Sequence, residues 1–465
     1  MFRASSKRPR SRVLRTTIAV SIYLSAFAAL ASGQWNESVL YSFQGGTDGE
    51  YPLGRTVFDS VGNLYGITTS GGASSCWGNC GTVYELTPPI ERGGVWTESV
   101  LHVFLGHPGD GNWPQGGLVT DSNGNLYGST GYGGTGSCEV LGTYPGCGTV
   151  YEMSPPTRKG GSWTETILYD FQGGNDGFVP FGDLVIDNAG NLYGATLYGG
   201  GRGKNCGDGF YQYCGTIYEL SPPRMNGGAW TEQVLYSFTG IPVGAAVGDG
   251  ANPNGGLVLD NTGSIYGTTQ IGGVAGSVVP GWGTVFKLTP PSKGNQWTET
   301  VMYRFLGGSD GRTPTGSLTS DPEGNLYTVT QLGGENLQQE GTVSELARKN
   351  NGQWVHYILH SFSGGDDGGE PESGVAFDSE GNLYGDATYG GAAVHGTLYE
   401  IHLMLTGNPS FEVVYNFGGP PNGSFPISSI TFDSFGDMYG TTGYGGTGAN
   451  CTVFPGCGTV FQESR

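Results

Sequence analysis

Charged residues are scarce in this sequence, and basic ones are the scarcer kind, with 20 Lys+Arg against 40 Asp+Glu in 465 residues. An acidic surface repels phosphate backbones and anionic lipid headgroups, so nucleic acid and membranes are poor candidates as partners. Beyond the first 31 residues, no apolar run reaches the ~20 residues that a membrane-spanning helix needs. Helical periodicity is missing too, which argues against helical and parallel α/β architectures.

The first 31 residues have the features of a secretory signal peptide. Six basic residues precede an apolar segment from Ile18 to Leu30, and Ala29-Leu30-Ala31 supplies the small-x-small pattern that signal peptidase recognises. Cleavage removes six of the 20 basic residues and no acidic one, leaving 14 against 40 and a net charge near −26. We therefore expect a secreted protein, extracellular or periplasmic, that is monomeric and does not insert into a membrane.

Glycine is abundant, with 89 residues, and it recurs in register with aromatic residues, which low-complexity linkers do not show. Aligned on itself, the chain contains seven copies of one unit of about 63 residues, a period that suits a propeller blade with long loops. The second copy reads PQGGLVTDSNGNLYGSTGYGG, a variable loop, GTVYEMSPP, a short loop and WTETILYDF. A tryptophan opens the last segment in six copies, and Phe411 takes its place in the seventh. The repeats start near residues 35, 96, 163, 230, 297, 354 and 411.

Each copy reads as four short strands: GLVxD, NLYGTT, GTVYEL and WTExxLYxF. A D-S-x-G-N turn joins the first two strands, and Pro-Pro ends the third. The chain begins with a lone fourth strand, 35–43, and ends with a lone first-to-third set, 427–463. Residues 32–465 are thus predicted to form a single all-β domain. It is a seven-bladed β-propeller of four-stranded antiparallel blades, closed by pairing of the N-terminal strand with the C-terminal blade.

All eight cysteines lie in the variable loops between the second and third strands. An even count, two in each loop of an exported protein, favours disulfides between neighbours. The alternative is a metal site, but the cysteines have no partner histidine cluster and each pair sits in a different blade, so no metal site is predicted. The expected pairs are Cys76–Cys80, Cys138–Cys147, Cys206–Cys214 and Cys451–Cys457.

Aromatic residues in the variable loops mark a candidate ligand surface. In a propeller the second-to-third and fourth-to-first connections emerge on one face, which we call the loop face. Exposed aromatic rings beside carboxylates and amides are typical of carbohydrate sites, although surface tyrosines also pack on neighbouring loops. The tryptophans that open fourth strands are instead expected to pack between blades. The candidate aromatic residues of the loop face are Trp77, Trp113, Trp282, Tyr132, Tyr198, Tyr389 and Tyr444.

An aspartate recurs in the G-G-x-D-G segments of the same face. One interpretation is a tight Asp-Gly turn before the next first strand. The other is a ring of carboxylates that binds Ca²⁺ as a cofactor or polarises a substrate. The turn is favoured, because a residue present in nearly every blade usually serves the blade. The carboxylates included in the candidate ligand surface are Asp48, Asp110, Asp176, Asp310 and Asp367.

The stretch GLVxDsxGNLYGTTxxGG, followed by GTVYEL and LYSF, runs from Leu40 to the C-terminus and resembles the bacterial tandem repeat called GloVer (Gloeo/Verruco repeat). The resemblance covers the whole mature chain and implies a secreted or surface protein without indicating an activity. More distantly, GLVxDxxGNLY resembles the blades of NHL-type, streptogramin-lyase-like and gluconolactonase-like propellers. That likeness concerns the fold and carries no function.

The sequence gives little for catalysis: the six histidines do not recur in register, and no H-E-x-x-H is present. The main hypothesis is therefore a secreted, non-enzymatic binding or scaffold protein that recognises a glycan or a protein partner through its variable loops. The alternative is a divalent-cation-dependent extracellular lyase, lactonase or glycosidase at the mouth of the central channel. It is motivated by the recurring aspartates and by the distant blade resemblance. A third hypothesis, a purely structural envelope component, predicts no soluble ligand.

Overall fold

The computed structural model describes residues 35–465, apart from 73–79, 92, 107, 141–143, 159, 202–213, 226, 243–244, 276–280, 337, 350, 405–407 and 452–454. Within these residues seven four-stranded antiparallel sheets form the blades of a β-propeller, which confirms the predicted fold class. The predicted signal peptide, 1–31, lies outside the described residues. In the part of the chain that is described, no helix is long and apolar enough to cross a membrane.

The strands are named in chain order and run from the central channel outwards in each blade. The N-terminal strand is β1 (Asn36–Ser42). Blade 1 comprises β2 (Glu50–Phe58), β3 (Leu64–Ser70), β4 (Thr82–Thr87) and β5 (Thr97–Val103). Blade 2 comprises β6 (Gly111–Thr120), β7 (Leu126–Gly133), β10 (Thr149–Ser154) and β11 (Thr164–Asp170), with the small hairpin β8 (Glu139–Val140) and β9 (Tyr144–Pro145) between β7 and β10. Blades 3 and 4 comprise β12 (Phe178–Ile186), β13 (Leu192–Tyr198), β14 (Thr216–Ser221) and β15 (Thr231–Ser237), then β16 (Val258–Leu259), β17 (Ile265–Thr269), β18 (Thr284–Thr289) and β19 (Thr298–Arg304).

In blades 5 and 7 the first strand is broken into two short pieces that pair with the same second strand. Two 3-10 turns, Gly46–Asp48 and Gly308–Asp310, precede the first strands of blades 1 and 5. Blades 5 to 7 comprise β20 (Arg312–Pro314), β21 (Thr319–Ser320), β22 (Leu326–Leu332), β23 (Thr342–Arg348) and β24 (Trp354–Ser361); β25 (Ala376–Phe377), β26 (Leu383–Ala387), β27 (Thr397–His402) and β28 (Ser410–Asn416); and β29 (Gly423–Pro426), β30 (Thr431–Phe432), β31 (Met438–Gly445) and β32 (Thr459–Ser464).

The seventh blade is completed by the two ends of the described chain. Strand β1 pairs antiparallel with β32, with Asn36 opposite Ser464 and Ser42 opposite Thr459. The sheet order is β1-β32-β31-β29, so the N-terminal strand supplies the fourth strand of the last blade. This pairing confirms the predicted closure, and it covers the sheet edge that β32 would otherwise leave open.

Neighbouring blades are joined at all seven junctions by the same backbone hydrogen bond and proline–glycine contact, which together we call the latch. The residue before the first-strand proline has a positive φ, and its backbone N–H donates to a carbonyl at the start of the third strand of the preceding blade, over 2.7–3.1 Å. The proline packs against the glycine that follows this carbonyl, and a Cβ at Gly81 would lie 2.7 Å from Cδ of Pro114. The residues in the left-handed position are Tyr51, Trp113, Val179, Asn252, Thr313, Glu370 and Phe425.

The tryptophans that open fourth strands pack against a tyrosine of the preceding blade, as predicted. The ring centroids of Trp163 and Tyr65 lie 5.5 Å apart, and those of Trp35 and Tyr384 lie 6.0 Å apart. The assignment of Phe411 to the seventh tryptophan position is wrong. Phe411 pairs with Ile401, just as Glu165 pairs with Met153 in blade 2, so it occupies the position of the glutamate two residues further along the strand.

A glycine–tyrosine pair inside the blade explains the G of the NLYG motif. A Cβ at Gly66 would overlap the hydroxyl of Tyr84, whose side chain crosses the second strand and is fully buried. Blade 5 departs from the motif with NLYTVT, and the structure shows why. Thr328 occupies the glycine position, and Ser344, its partner in the register, occupies the tyrosine position. Because Ser344 is much smaller than a tyrosine, it leaves room for the Thr328 side chain.

Substitution of Gly66 by alanine is predicted to destabilise the fold by about 1–3 kcal/mol, because the added methyl group overpacks the core against Tyr84. The loss should appear as a lower thermal midpoint in circular dichroism. In a Tyr84→Ser background, which copies the space available in blade 5, the same Gly66→Ala change should have little further effect. Equal losses in both backgrounds would contradict this steric explanation.

Candidate functional site

The loop-face end of the central channel is bordered by the seven left-handed residues of the latches, and we call this border the channel mouth. Between blades 7, 1 and 2 it contains a hollow of about 220 Å³. Three aromatic side chains, Tyr51, Trp113 and Tyr444, line the hollow together with Glu50 and the Cys451–Cys457 disulfide. The hydroxyl-bearing residues Thr69 and Ser70 complete the wall.

Aromatic rings continue along the mouth from blade 6 to blade 1. Tyr389 contacts Phe425 with centroids 4.9 Å apart, Phe425 contacts Tyr444 at 5.3 Å, and Tyr444 contacts Tyr51 at 5.1 Å. On the other side of the hollow, Trp113 completes a set of five residues that we call the aromatic arc. Burial raises the pKa of the Tyr51 phenol, which keeps its hydroxyl protonated and able to donate a hydrogen bond.

Trp113 is held in place by a stacked ring beneath it. Tyr132 lies parallel to the indole, with centroids 5.1 Å apart and an interplanar angle of 13°, and only 7% of its surface is exposed. Phe181 of blade 3 contacts the indole edge at 6.4 Å. The positive φ of Trp113 and these two rings together fix the direction in which the indole points into the mouth.

Blade 6 places two carboxylates at the mouth. The amide nitrogen of Gln331 donates to Glu372 at 2.7 Å and to Glu370 at 3.4 Å, so one amide bridges both side chains, which we call the acidic pair. Burial raises the pKa of Glu372, and the charge of Glu370 raises it further. Burial also raises the pKa of Glu370, and the charge of Glu340 raises it further.

A further space of about 280 Å³ in the channel is lined mainly by residues of the first strands and their flanks. Asp183 accepts hydrogen bonds from the backbone of Gly117 and from the hydroxyl of Ser317, 2.9 Å away, so it ties three blades together. Arg55 also lines this space and brings positive charge into an otherwise acidic channel.

The structure brings together only part of the aromatic surface that the sequence predicted. Trp113, Tyr389 and Tyr444 border the mouth, and the predicted Tyr132 supports Trp113 from below. The remaining residues lie elsewhere. Tyr198 packs on Phe178 in blade 3, and Trp282 lies under the guanidinium of Arg312, 5.7 Å from its ring centroid. Trp77 lies outside the described residues.

The predicted aspartates lie against the fourth strands rather than at the mouth. Asp48 accepts hydrogen bonds from the Tyr41 hydroxyl and from the backbone N–H of Gln44, both at 2.6 Å. Loop and fourth-strand donors surround the other carboxylates of the series in the same way. The carboxylates therefore link the loop to the fourth strand, and both the turn and the metal interpretation stay predictions. The other predicted members are Asp110, Asp176, Asp310 and Asp367.

Two of the predicted disulfides, Cys138–Cys147 and Cys451–Cys457, are formed. Cys80 and Cys214 are each disulfide-bonded as well, while Cys76 and Cys206, their predicted partners, lie outside the described residues. The Cys451–Cys457 bridge stands in the wall of the hollow, so it fixes one side of the mouth.

Sequence reasoning missed Tyr51, Phe425 and the acidic pair. A signal for them exists in the repeat: the residue before the first-strand proline differs in every blade, whereas the proline itself and the glycine of the latch are constant. A position that varies inside a constant frame is expected to carry specificity. The unusual backbone angle that brings these side chains to the mouth cannot be read from the sequence.

A second recurring group of carboxyls lies between the outer strands of neighbouring blades. Glu98, Glu232 and Glu299 occupy the same fourth-strand position in blades 1, 3 and 4. Burial raises the pKa of each to about 7, and the charge of the loop aspartate of the preceding junction raises it further. At neutral pH these carboxyls are therefore partly protonated inside the blade junctions.

Comparisons with known proteins agree with the fold. The Gloeobacter/Verrucomicrobia repeat model matches residues 27–210 and 140–363, which together make up more than half of the chain. No curated protein matches the sequence. Among solved structures, a fungal alcohol oxidase in complex with copper is 16% identical, with a TM-score of 0.50, and the match covers 92% of this chain and 76% of that one.

Two further solved structures are more distant in shape. The PQQ-bound aldose sugar dehydrogenase of Streptomyces coelicolor is 12% identical, with a TM-score of 0.40, covering 93% of this chain and 99% of that one. A gluconolactonase of Xanthomonas campestris is 14% identical, with a TM-score of 0.39, covering 77% and 88%. At these identities and TM-scores, the two matches carry no argument about this chain.

The junction carboxyls predict a pH dependence of stability. A carboxyl with a higher pKa in the folded than in the unfolded chain stabilises the fold when it is protonated. For Glu232, which faces Asp176 and Tyr169, this contribution is complete below the ordinary value of 4.5 and is lost as the pH rises through about 7. Glu232→Gln should therefore raise the thermal midpoint at pH 8 and make the midpoint less sensitive to pH between 4.5 and 8.

The matched control is Glu412→Gln, because Glu412 is exposed to solvent on a fourth strand of another blade. Calorimetry at several pH values should show no comparable change for this variant. If Glu232→Gln lowered the midpoint at pH 8, or followed the wild-type pH profile, the account of the junction carboxyls would be wrong.

Proposed function

The chain belongs to the Gloeobacter/Verrucomicrobia repeat family, and on this seven-bladed frame we propose an exported, non-enzymatic protein that binds a glycan at the channel mouth. The hollow between Tyr51, Trp113 and Tyr444 is the observation that carries the proposal. It combines aromatic faces with a carboxylate and hydroxyls in a space of about 220 Å³.

The chemistry of the hollow suits a pyranose ring. The C–H faces of a sugar ring are apolar and pack on aromatic side chains, whereas its edges carry hydroxyls that need hydrogen-bond partners. Trp113 and Tyr444 provide the aromatic faces. Glu50 and the residues Thr69 and Ser70 provide polar partners at the same hollow. The acidic pair across the mouth would accept hydrogen bonds from further sugar units of a longer chain.

The rigidity of the mouth supports binding over a purely structural role. A non-glycine residue in the left-handed region costs about 1–3 kcal/mol, and such residues gather at sites where side-chain direction matters. Here the latches hold seven of them, and a disulfide fixes one wall of the hollow. Because these side chains are already oriented, binding loses little conformational entropy.

The charge of the protein narrows the ligand class. The net charge is −20 for the whole chain, and the acidic pair stands at the mouth itself. Polyanionic glycans are repelled by such a field. The proposed ligand is therefore a neutral oligosaccharide, such as a short stretch of an uncharged extracellular polysaccharide.

Trp113→Ala is predicted to weaken oligosaccharide binding about tenfold or more, because an aromatic anchor in a binding hollow is worth at least about 1.4 kcal/mol. A neutral glycan array identifies the ligand, and isothermal titration calorimetry measures the loss. Tyr444→Ala should behave in the same way. Phe435→Ala is the control, because Phe435 is 85% exposed in a first-to-second-strand turn, on the opposite face of the propeller.

Equal affinity of the Trp113→Ala and Phe435→Ala variants would place the ligand elsewhere on the molecule. The absence of any binding on a neutral glycan array would overturn the glycan proposal and leave a protein partner or a structural role. Circular dichroism of each variant shows whether the fold is kept. Should Trp113→Ala fail to fold, Trp113→Phe keeps a smaller ring in place and should still bind more weakly than the wild type.

The acidic pair favours a second candidate function, cleavage of the bound glycan by hydrolysis or elimination, with or without a divalent cation such as Ca²⁺. Two carboxyls with raised pKa values, bridged by one amide, supply the groups that general acid and base catalysis needs. If the protein is an enzyme, Glu372→Gln should abolish product formation while binding is kept. The binding proposal predicts instead that the wild type releases no product from any glycan it binds.

A further inference from the structure

The junctions between blades repeat one arrangement of three side chains on their outer side. It consists of an aromatic residue of the LYxF segment, the loop aspartate and the WTE glutamate of the following blade. Between blades 2 and 3 these are Tyr169, Asp176 and Glu232, and the phenol donates to the carboxylate at 2.7 Å. Between blades 3 and 4 the tyrosine–aspartate hydrogen bond measures 2.8 Å. The phenol therefore provides a proton that the aspartate accepts.

Between blades 1 and 2 the tyrosine is replaced by His102, which faces Asp110 and Glu165. Nε2 of the imidazole lies 3.5 Å from the nearest carboxylate oxygen of Asp110, too far for a good hydrogen bond. Among the described residues this nitrogen has no hydrogen-bond partner, although it is buried, and the same holds for one carboxylate oxygen of Glu165. Burial raises the pKa of the Glu165 carboxyl to about 7, although the nearby His102 lowers it.

A bound cation would satisfy all of these groups at once. The three ligand atoms, one from each side chain, lie within 4.8 Å of one another. Within the described part of the chain, this is the only group of three histidine, cysteine or acidic side chains that is placed closely enough to hold a metal ion. The unpartnered glutamate oxygen recurs at other junctions, and His356 also has an unpartnered imidazole nitrogen. The feature that distinguishes this junction is that a histidine, an aspartate and a glutamate bring three ligand atoms together.

We propose that His102, Asp110 and Glu165 form a zinc site at the junction of blades 1 and 2. One imidazole nitrogen with two carboxylate oxygens is a donor set that Zn²⁺ accepts, and three protein ligands leave the fourth position to water. Ligand bonds of about 2.0–2.2 Å place the donor atoms about 3.4 Å apart, so small side-chain rotations close the site. Calcium prefers six to eight oxygen ligands and is disfavoured by the imidazole.

The other junctions show what the site needs. Between blades 4 and 5, His356 lies 3.3 Å from Asp310, but the third group is the phenol of Tyr303. Between blades 5 and 6, His360 and Asp367 are present, yet Phe411 replaces the glutamate and stacks on the imidazole at 3.6 Å. Neither junction offers three ligands, so a single zinc ion per chain is expected.

The test uses the untagged mature chain after dialysis against a chelator. Isothermal titration with Zn²⁺ should give one tight site per chain, and zinc should raise the thermal midpoint, because it binds only the folded protein. His102→Tyr restores the residue found at the sister junctions, so it should fold normally but lose the site. The control His402→Gln, in the third strand of blade 6, should leave the stoichiometry at one.

The sister junction allows a gain of function. Tyr169→His creates a His–Asp–Glu set between blades 2 and 3, and this variant should bind two zinc ions per chain. The proposal is overturned if His102→Tyr binds zinc as tightly as the wild type, or if the wild type binds none. Ca²⁺ that displaces Zn²⁺ from the wild type, and that binds the His102→Tyr variant equally well, would likewise contradict the assignment. Should His102→Tyr fail to fold, Glu165→Gln keeps the shape of the side chain and should bind zinc at least tenfold more weakly.

Discussion

The backbone hydrogen bond between neighbouring blades is the interaction on which the rest of this structure depends. Its donor is the residue before the first-strand proline, and its acceptor is a carbonyl of the preceding blade. To reach that carbonyl the donor residue takes a left-handed conformation, at a cost of about 1–3 kcal/mol. The hydrogen bond, worth about 1 kcal/mol, and the packing of the proline on the latch glycine offset this cost. Repeated seven times, the latch sets the angle between blades and closes the ring.

The same latch creates the functional surface. In blades 1, 2, 6 and 7 the left-handed residue brings a side chain to the channel mouth, whereas Val179 and Asn252 of blades 3 and 4 are buried. Tyr51, Trp113 and Phe425 make one half of the mouth aromatic, and Glu370 makes blade 6 acidic. The proline and glycine of the latch are therefore constant, while the residue at the channel mouth varies. A change of ligand thus requires no change in the core.

The repeat made the blade number, the four strands and the closure predictable from the sequence, because each depends on local patterns that recur in register. Alternating apolar residues, turn residues and Pro-Pro recur whether or not the tertiary structure is known. The tryptophan contacts were predictable for the same reason. Phe411 was misplaced because an aromatic residue two positions away was aligned on its type, and only the strand register separates the two positions.

The candidate site was less predictable, because it depends on backbone angles and on contacts between blades. The aspartates were predicted to serve the turns, but the sequence does not show that a tyrosine or histidine faces them from the neighbouring strands. Nor does it show that Thr328 and Ser344 compensate each other across two strands. Of the aromatic residues predicted for the loop face, Trp113 and Tyr444 meet in one hollow because Tyr51, an unpredicted residue, lies between them.

The central claim is that the latches orient the side chains of the mouth before any ligand arrives. A crystal structure of the free protein, compared with one that contains a bound oligosaccharide, tests this claim most directly. The account predicts a positive φ at all seven positions in both structures, with the sugar packed between Trp113 and Tyr444. Extended backbone at these positions in the free protein, or a sugar bound away from the mouth, would contradict it.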